Sequence, residues 1–260
     1  MDVTIRDLGK VYSSRGGEDV VALDGVNADI ASGEFVTLVG PSGCGKSTLL
    51  DIVAGLIPES SGSVSFGNGG AETVGSTRVG LVFQKPVLLP WRTALENVYL
   101  PAQLGAEPPG RSEANKLRER ADELLELVGL GHFAEKYPWE LSGGMQQRVS
   151  IARALLLDAE VMCMDEPFAA LDEFTREQMH VELLTVWERQ GFTGIFVTHN
   201  IFESAFLSDR VLVMTPRPGK VVAEVSIDLA RPRHKDMIGT SGFTENVRRI
   251  RDVMSEHWNE

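Results

Sequence analysis

Gly40-Pro41-Ser42-Gly43-Cys44-Gly45-Lys46-Ser47-Thr48 decides the fold. A glycine, four residues and then Gly-Lys-Ser is the pattern of a phosphate-binding loop. Gly43 and Gly45 let the backbone curl so that successive N–H groups face one phosphate. Lys46 brings a point charge to the β- and γ-phosphates, and Ser47 a hydroxyl for Mg2+. The flanks agree. Glu34–Val39 is a short apolar strand leading into the loop, and Ser47–Leu56 has helical periodicity with Gly55 near its end. That helix turns its positive end toward the phosphate. Strand, glycine loop and helix together predict an α/β nucleotide-binding core.

The rest of the chain bounds what this core can do. It has 260 residues, enough for one large domain or a core with subdomains. Its 43% hydrophobic and 24% charged residues are ordinary for a globular protein. The net charge of −12 argues against a broad grip on nucleic acid or anionic lipid, which needs clustered Lys and Arg. The longest apolar runs, such as Val161–Met164, are far too short to span a bilayer. Met1–Asp7 lacks the basic start and apolar core of a signal peptide, so a cytosolic location is expected. Two cysteines, Cys44 and Cys163, fit a reducing compartment, and five scattered histidines form no metal-binding pair.

Val3–Leu8 and Val20–Ile30 read as strands, with a polar insertion over Ser13–Asp19. Pro58–Gly75 reads as a loose hairpin and Arg78–Phe83 as a strand ending at Gln84. Residues of about 90–155 read as a helical insert, with a Gly/Pro linker over Gly105–Ser112. Within it, Glu113–Val128 carries Leu117, Ala121, Leu124, Leu125 and Val128 on one face. Ser112 is placed to cap this helix and Gly129 to end it. Strands return at Glu160–Met164 and Gly194–Thr198, with a helix of about Phe174–Arg189 between them. Such alternation predicts a mostly parallel sheet covered on both faces. Beyond Pro216 come a Pro/Gly turn, a strand at Lys220–Val225, a basic linker and a final amphipathic helix.

Two further motifs carry chemistry. The strand at Val161 ends in Asp165-Glu166, acids that a buried parallel strand delivers to the sheet's carboxyl edge, where ligands sit. Asp165 suits the Mg2+ shell, mostly through water, and Glu166 suits a general base for an attacking water. Upstream, Leu141-Ser142-Gly143-Gly144-Met145-Gln146-Gln147 opens a helix, so a hydroxyl, backbone amides and a helix dipole converge on an anion.

Taken in order, these motifs make the chain resemble the nucleotide-binding subunit of an ATP-binding-cassette (ABC) transporter, from about Val3 to Gly219. The resemblance implies a P-loop NTPase core with a mostly parallel sheet, an N-terminal antiparallel β-subdomain and an inserted α-helical subdomain. It implies a nucleotide-binding unit over 1–219, with the helical part at about 90–155, and a short extension over 220–260. It identifies Gln84 as a metal-sensing and catalytic glutamine, and Tyr12 as an aromatic that stacks on adenine. His199 becomes the switch histidine on the γ-phosphate. Leu141–Gln146 becomes a signature that caps ATP held by the other subunit of a head-to-tail homodimer. Ala169, Leu171 and Asp172 become a contact loop of that dimer. Ala169 replaces a common serine, which puts one polar contact in doubt, and Asn200 replaces a frequent aspartate.

The implied activity is hydrolysis of ATP, with Mg2+, to drive transport through an integral membrane permease. The chain would lie at the cytoplasmic face of the inner membrane, fed indirectly by an extracytoplasmic solute-binding protein. Leu88–Thr93, Met214–Gly219 and Asp228–Arg233 resemble the nitrate/sulfonate/taurine importer group, whose relatives also carry bicarbonate or pyrimidine precursors. Trp91 would lie near the groove for the permease's coupling helix, or else be buried in the core. The alternatives are a non-transport ABC ATPase or a P-loop kinase. The chain lacks the tandem cassettes or coiled-coil insertion of the first, and the signature argues against the second.

Overall fold

The structure, a computed structural model, describes residues 1–13, 17–67, 72–73, 77–104 and 109–258. Parts of the expected insertion, hairpin and linker fall on 14–16, 68–71, 74–76 and 105–108, outside the described residues. The chain begins with β1 (Val3–Tyr12), β2 (Val20–Ile30), β3 (Phe35–Val39), α1 (Lys46–Val53), β4 (Ser61–Phe66), β5 (Glu72–Thr73) and β6 (Val79–Val82). The helical segment holds α2 (Ala94–Leu104), α3 (Arg111–Leu127) and α4 (Gly143–Leu155). Then follow β7 (Val161–Asp165), α5 (Glu173–Gln190), β8 (Thr193–Val197), α6 (Ile201–Leu207), β9 (Arg210–Met214), β10 (Val221–Ser226) and α7 (Ser241–Trp258).

Two sheets form. An antiparallel sheet runs β2-β1-β4-β5. A six-stranded sheet runs β10-β9-β3-β8-β7-β6, parallel except for β10 against β9. The period-two alternation of strands explains how the second sheet is covered. On one face Val36, Leu38, Val161, Cys163, Ile195 and Val197 pack with α1 and the apolar side of the antiparallel sheet. On the other, Phe35, Met162, Met164 and Phe196 pack with the remaining helices. Helix α1 is therefore sandwiched between the two sheets, with Leu49, Leu50, Ile52 and Val53 buried. Each such side chain contributes about 1.5–3 kcal/mol on burial. All five residues of β3 and of β8 are buried, as central parallel strands require.

The α/β architecture, its mostly parallel sheet and its separate antiparallel sheet are as expected from the sequence. Three readings change. Helix α3 starts at Arg111, with Gly110 at its N-cap and no side-chain cap, so Ser112 lies inside the first turn. Its apolar face does pack inward, with Ala121, Leu124, Leu125 and Val128 buried, and Gly129 follows at φ 72°. Trp91 is 69% exposed, which removes the core-burial alternative. Helix α6 had no counterpart in the sequence reading, because a seven-residue helix spans about two turns, too few to show a period. Residue 219 lies in the turn between β9 and β10, and Val225, Phe243, Val247, Ile250 and Met254 all join the main core.

Candidate nucleotide site

The phosphate loop joins β3 to α1, and its shape depends on glycine. Gly43 and Gly45 have φ of 76° and 103°. A Cβ on Gly45 would also stand 2.9 Å from the Ala22 carbonyl oxygen and 2.7 Å from Leu23 Cδ2. Only glycine tolerates both demands. On the other side, a Cβ on Gly219 would strike the Cys44 carbonyl oxygen. Gly219 is itself zipped to β2, donating to Ala22 O at 2.9 Å and accepting from Asp24 N at 3.1 Å. The loop is thus framed by β2 and the β9–β10 turn. Lys46 is buried, with Nζ donating to Gly40 O at 2.8 Å and Pro41 O at 3.0 Å. Cys44 is buried and fills the space beside Gly40.

A cavity of about 370 Å³ opens over this loop. Tyr12, Ser42, Gly43, Gly45, Lys46, Ser47 and Thr48 line it, as do Gln84, Asp165 and Glu166. Gly40, Pro41 and Cys44 shape the loop from behind. Tyr12 is exposed on the rim, with its hydroxyl 3.5 Å from Thr48 Oγ1 and Lys10 5.2 Å from its ring. Ser47 and Asp165 stand on this same lining. Burial raises the Asp165 pKa; Ser47 lowers it, Glu166 raises it and Lys46 lowers it, and the net result is above the ordinary range. Asp51, on α1, is raised by burial and then by the charge of Asp165. Ser47, Asp165 and Gln84 offer a hydroxyl, a carboxylate and an amide oxygen. Hard, sparse donors of this kind fit a small divalent cation that takes its other ligands from phosphates and water.

Glu166 follows β7 at φ 43°, an uncommon value for a residue with a side chain. Its N–H donates to Val197 O at 2.9 Å, and its Oε2 is 3.1 Å from His199 Nδ1. Asn200 caps α6, its Oδ1 accepting from Phe202 N at 2.9 Å and Glu203 N at 3.4 Å. An acceptor oxygen is all this cap needs, so asparagine serves as aspartate would.

The remaining expected residues gather elsewhere. Ser142 is the N-cap of α4, accepting from Met145 N at 3.3 Å. Leu141 is buried and Gln146 donates to the carbonyls of Pro138 and Leu141. A Cβ on Gly144 would sit 3.1 Å from Thr175 Cγ2 and 3.9 Å from Leu171 Cδ2, and one on Gly143 3.8 Å from the same methyl. The signature therefore abuts the contact loop. There, Ala169 donates its N–H to Glu166 O, and Asp172 caps α5 through the N–H and hydroxyl of Thr175. None of the signature or contact-loop residues lines the phosphate cavity. Further along α4, Gln147 donates to Phe83 O at 3.1 Å, and Arg153 to Val87 O at 2.8 Å and Pro86 O at 2.9 Å. One helix thus carries the signature at its start and clasps the segment around Gln84 at its middle and end.

Sequence reading missed Arg217 as a site residue. It lines the phosphate cavity, and its guanidinium donates to Gly43 O at 3.1 and 3.3 Å. The signal available was a lone arginine in Pro216-Arg217-Pro218-Gly219, noted only for kinship. A second, larger groove of about 720 Å³ is apolar, lined by Phe83, Val87, Leu89, Leu100 and Leu104 among others. Trp91 stands near it in sequence but is not among its lining residues.

A family model described as ABC transporter matches residues 23–169. An uncharacterized ABC transporter ATP-binding protein of Methanocaldococcus jannaschii is 43% identical over 252 residues, 97% of this chain and 91% of that protein. The taurine import ATP-binding protein TauB of Rhizobium johnstonii is 47% identical over 220 residues, 85% of this chain and 82% of its own. The aliphatic sulfonates import ATP-binding protein SsuB of Bacillus subtilis is 44% identical over 235 residues, 90% and 88% respectively. Among solved structures, the dimeric post-hydrolysis state of the ATP-binding cassette MJ0796 with ADP and phosphate matches at a TM-score of 0.73. It is 34% identical and is covered in full by 88% of this chain.

Proposed function

This chain belongs to the ABC transporter family, and we propose that it is the ATP-hydrolysing subunit of an importer for a taurine- or sulfonate-like solute. The observation that carries the mechanism is the separation of two half-sites on one chain. The phosphate loop, Asp165 and Glu166 meet at one cavity, with His199 beside Glu166, whereas Ser142–Gly144 and the contact loop pack on each other and do not line it. Two copies placed head to tail would bring the signature of each over the phosphates held by the other. The dimeric MJ0796 cassette supports this arrangement.

In this reading residues 40–48 cradle the phosphates of ATP, with Tyr12 against the adenine and Arg217 at the rim. Ser47, Asp165 and Gln84 would hold Mg2+, Asp165 mainly through water; when bound, the ion neutralises charge on the phosphate oxygens. Glu166 accepts a proton from water as the water oxygen bonds to the γ-phosphorus. The bond from that phosphorus to the β,γ-bridging oxygen breaks, leaving ADP and phosphate. His199, 3.1 Å from Glu166, holds the γ-phosphate in line. The signature's amides and Ser142 hydroxyl supply the remaining donors from the partner copy.

The apolar groove is the proposed seat of the permease, with Gln84 linking it to the nucleotide. No helix among the described residues is long and apolar enough to cross a membrane. The subunit would thus be held peripherally at the cytoplasmic face of the inner membrane, with an extracytoplasmic binding protein delivering solute. Residues 1–219 form the nucleotide-binding unit, 90–155 its helical arm, and 220–260 a supporting extension. The names TauB and SsuB weigh toward organosulfonates over pyrimidine precursors, and toward transport over the non-transport and kinase readings.

Mixing Ser142→Arg with Lys46→Ala tests the shared site. Each variant alone should be inactive, and mixed dimers should regain turnover through their one intact pairing of half-sites. A mixture as inactive as its components would reject the arrangement. Uptake of labelled taurine and of an aliphatic sulfonate, in cells lacking the gene, tests the cargo. Restoration by the native chain but not by Lys46→Ala is expected, and no restoration for either solute would reject it.

A further inference from the structure

Glu203 is a buried carboxylate that no step of the proposed hydrolysis uses. It lies in the first turn of α6 and is 5% exposed. Three side chains converge on it. His180 Nε2 is 3.1 Å from Oε1, and the Arg176 guanidinium is 3.7 Å from the same oxygen. The Thr198 hydroxyl donates to Oε2.

Each partner has a second commitment. Arg176 donates to Leu171 O at 2.6 Å and to Phe168 O at 3.3 Å. Thr198 Oγ1 accepts the Asn200 N–H at 3.0 Å. The His180 ring lies between those of Phe168 and Phe206, at 5.5 and 6.0 Å. One carboxylate therefore joins two stretches far apart in sequence. Residues 168–172 follow Glu166, and residues 198–200 bracket His199.

Such a group has to be held by its partners, because an unpaired buried carboxylate is costly. Burial pushes Glu203 up, but His180, Thr198 and Arg176 together hold its carboxyl below the usual glutamate range. It is also not needed to start α6, since Asn200 already caps the helix. Its distinctive property is the link itself.

We propose that Glu203 is a positioning residue that fixes the switch segment against the contact loop, so that His199 and Glu166 meet in one geometry at the nucleotide. The inference rests on the roles proposed above for those two residues. Glu203 acts through Thr198 on one side and Arg176 on the other, and does not itself touch nucleotide.

The test uses the full chain with Glu203→Gln, Thr198→Val and the double variant, each checked by thermal melting and assayed well below its midpoint. Glu203→Gln should lower kcat by about ten- to a hundredfold while ATP affinity by calorimetry stays within about twofold. The double variant should be no slower than the slower single, because both changes break one link. A Glu203→Gln protein with native kcat, one losing kcat and affinity equally, or strictly additive losses would each overturn the proposal. Should Glu203→Gln fail to fold, Thr198→Val decides alone, and native kcat there overturns it. Glu166→Gln is assayed alongside. If it retains native turnover, the reading of the site falls and this inference with it. If it is inactive while Glu203→Gln is normal, only the inference falls.

Discussion

Glu166 Oε2 lies 3.1 Å from His199 Nδ1, across 33 residues of sequence. The contact exists because β7 and β8 are adjacent parallel strands, with Asp165 paired to Val197, so both side chains leave the same sheet edge. Glu166→Gln keeps the shape and removes the proposed base. ATP binding should persist, phosphate release should fall by about a hundredfold or more, and ATP-bound dimer should accumulate on gel filtration. A monomeric variant with normal turnover would refute the general-base role.

Arg217 meets the phosphate loop through the Gly43 carbonyl and lines the same cavity. Arg217→Ala should weaken ATP binding by about five- to tenfold, the scale of one charge-assisted hydrogen bond. Calorimetric titration with ATP checks it, and equal affinities would show that the arginine serves the turn alone.

Asp51 and Asp165 both have raised pKa values, chiefly from burial, with mutual repulsion adding to that of Asp51. A carboxyl raised in the folded state keeps a proton that the unfolded chain has released. Its contribution to stability is therefore greatest at low pH and is lost as pH rises through the folded pKa. Asp51→Asn should raise the Tm of nucleotide-free protein at pH 7.5 by on the order of 2 °C. The gain should shrink as pH falls through the raised values. Equal Tm for both proteins at pH 7.5 would show that the pair does not repel there.

Leu104 is 73% exposed at the edge of the apolar groove. Leu104→Glu should leave ATP affinity unchanged and reduce co-purification with the permease from detergent-solubilised membranes. Native recovery of the permease would place the docking surface elsewhere.

Much of this was legible in the residues. The glycine loop, the acids after β7 and the helix-opening serine are local patterns, and each has a local physical cause. Short apolar runs at Glu34–Val39 and Glu160–Met164 marked the central sheet, and the structure adds which face meets α1. What could not be read is what depends on contacts between distant segments. Arg217 reaches the site only because Gly219 is zipped to β2. Glu203 gains its role only because α5 lays Arg176 and His180 against it. Helix α6 hid because it has only seven residues, five of them buried in an unbroken run that includes Glu203 and Ser204, so no apolar period marks it. Ser112 misled because serine in a first turn and serine at a cap look alike in sequence, and only the Gly110 backbone separates them.

Helix α4 ties Ser142 to the Gln84 segment through Gln147 and Arg153, so one rigid element joins the two. In the head-to-tail pair proposed above, that helix would rest on one copy's apolar groove at one end and on the other copy's ATP at the other. Each permease half would then be wired crosswise to the opposite nucleotide as well as to its own.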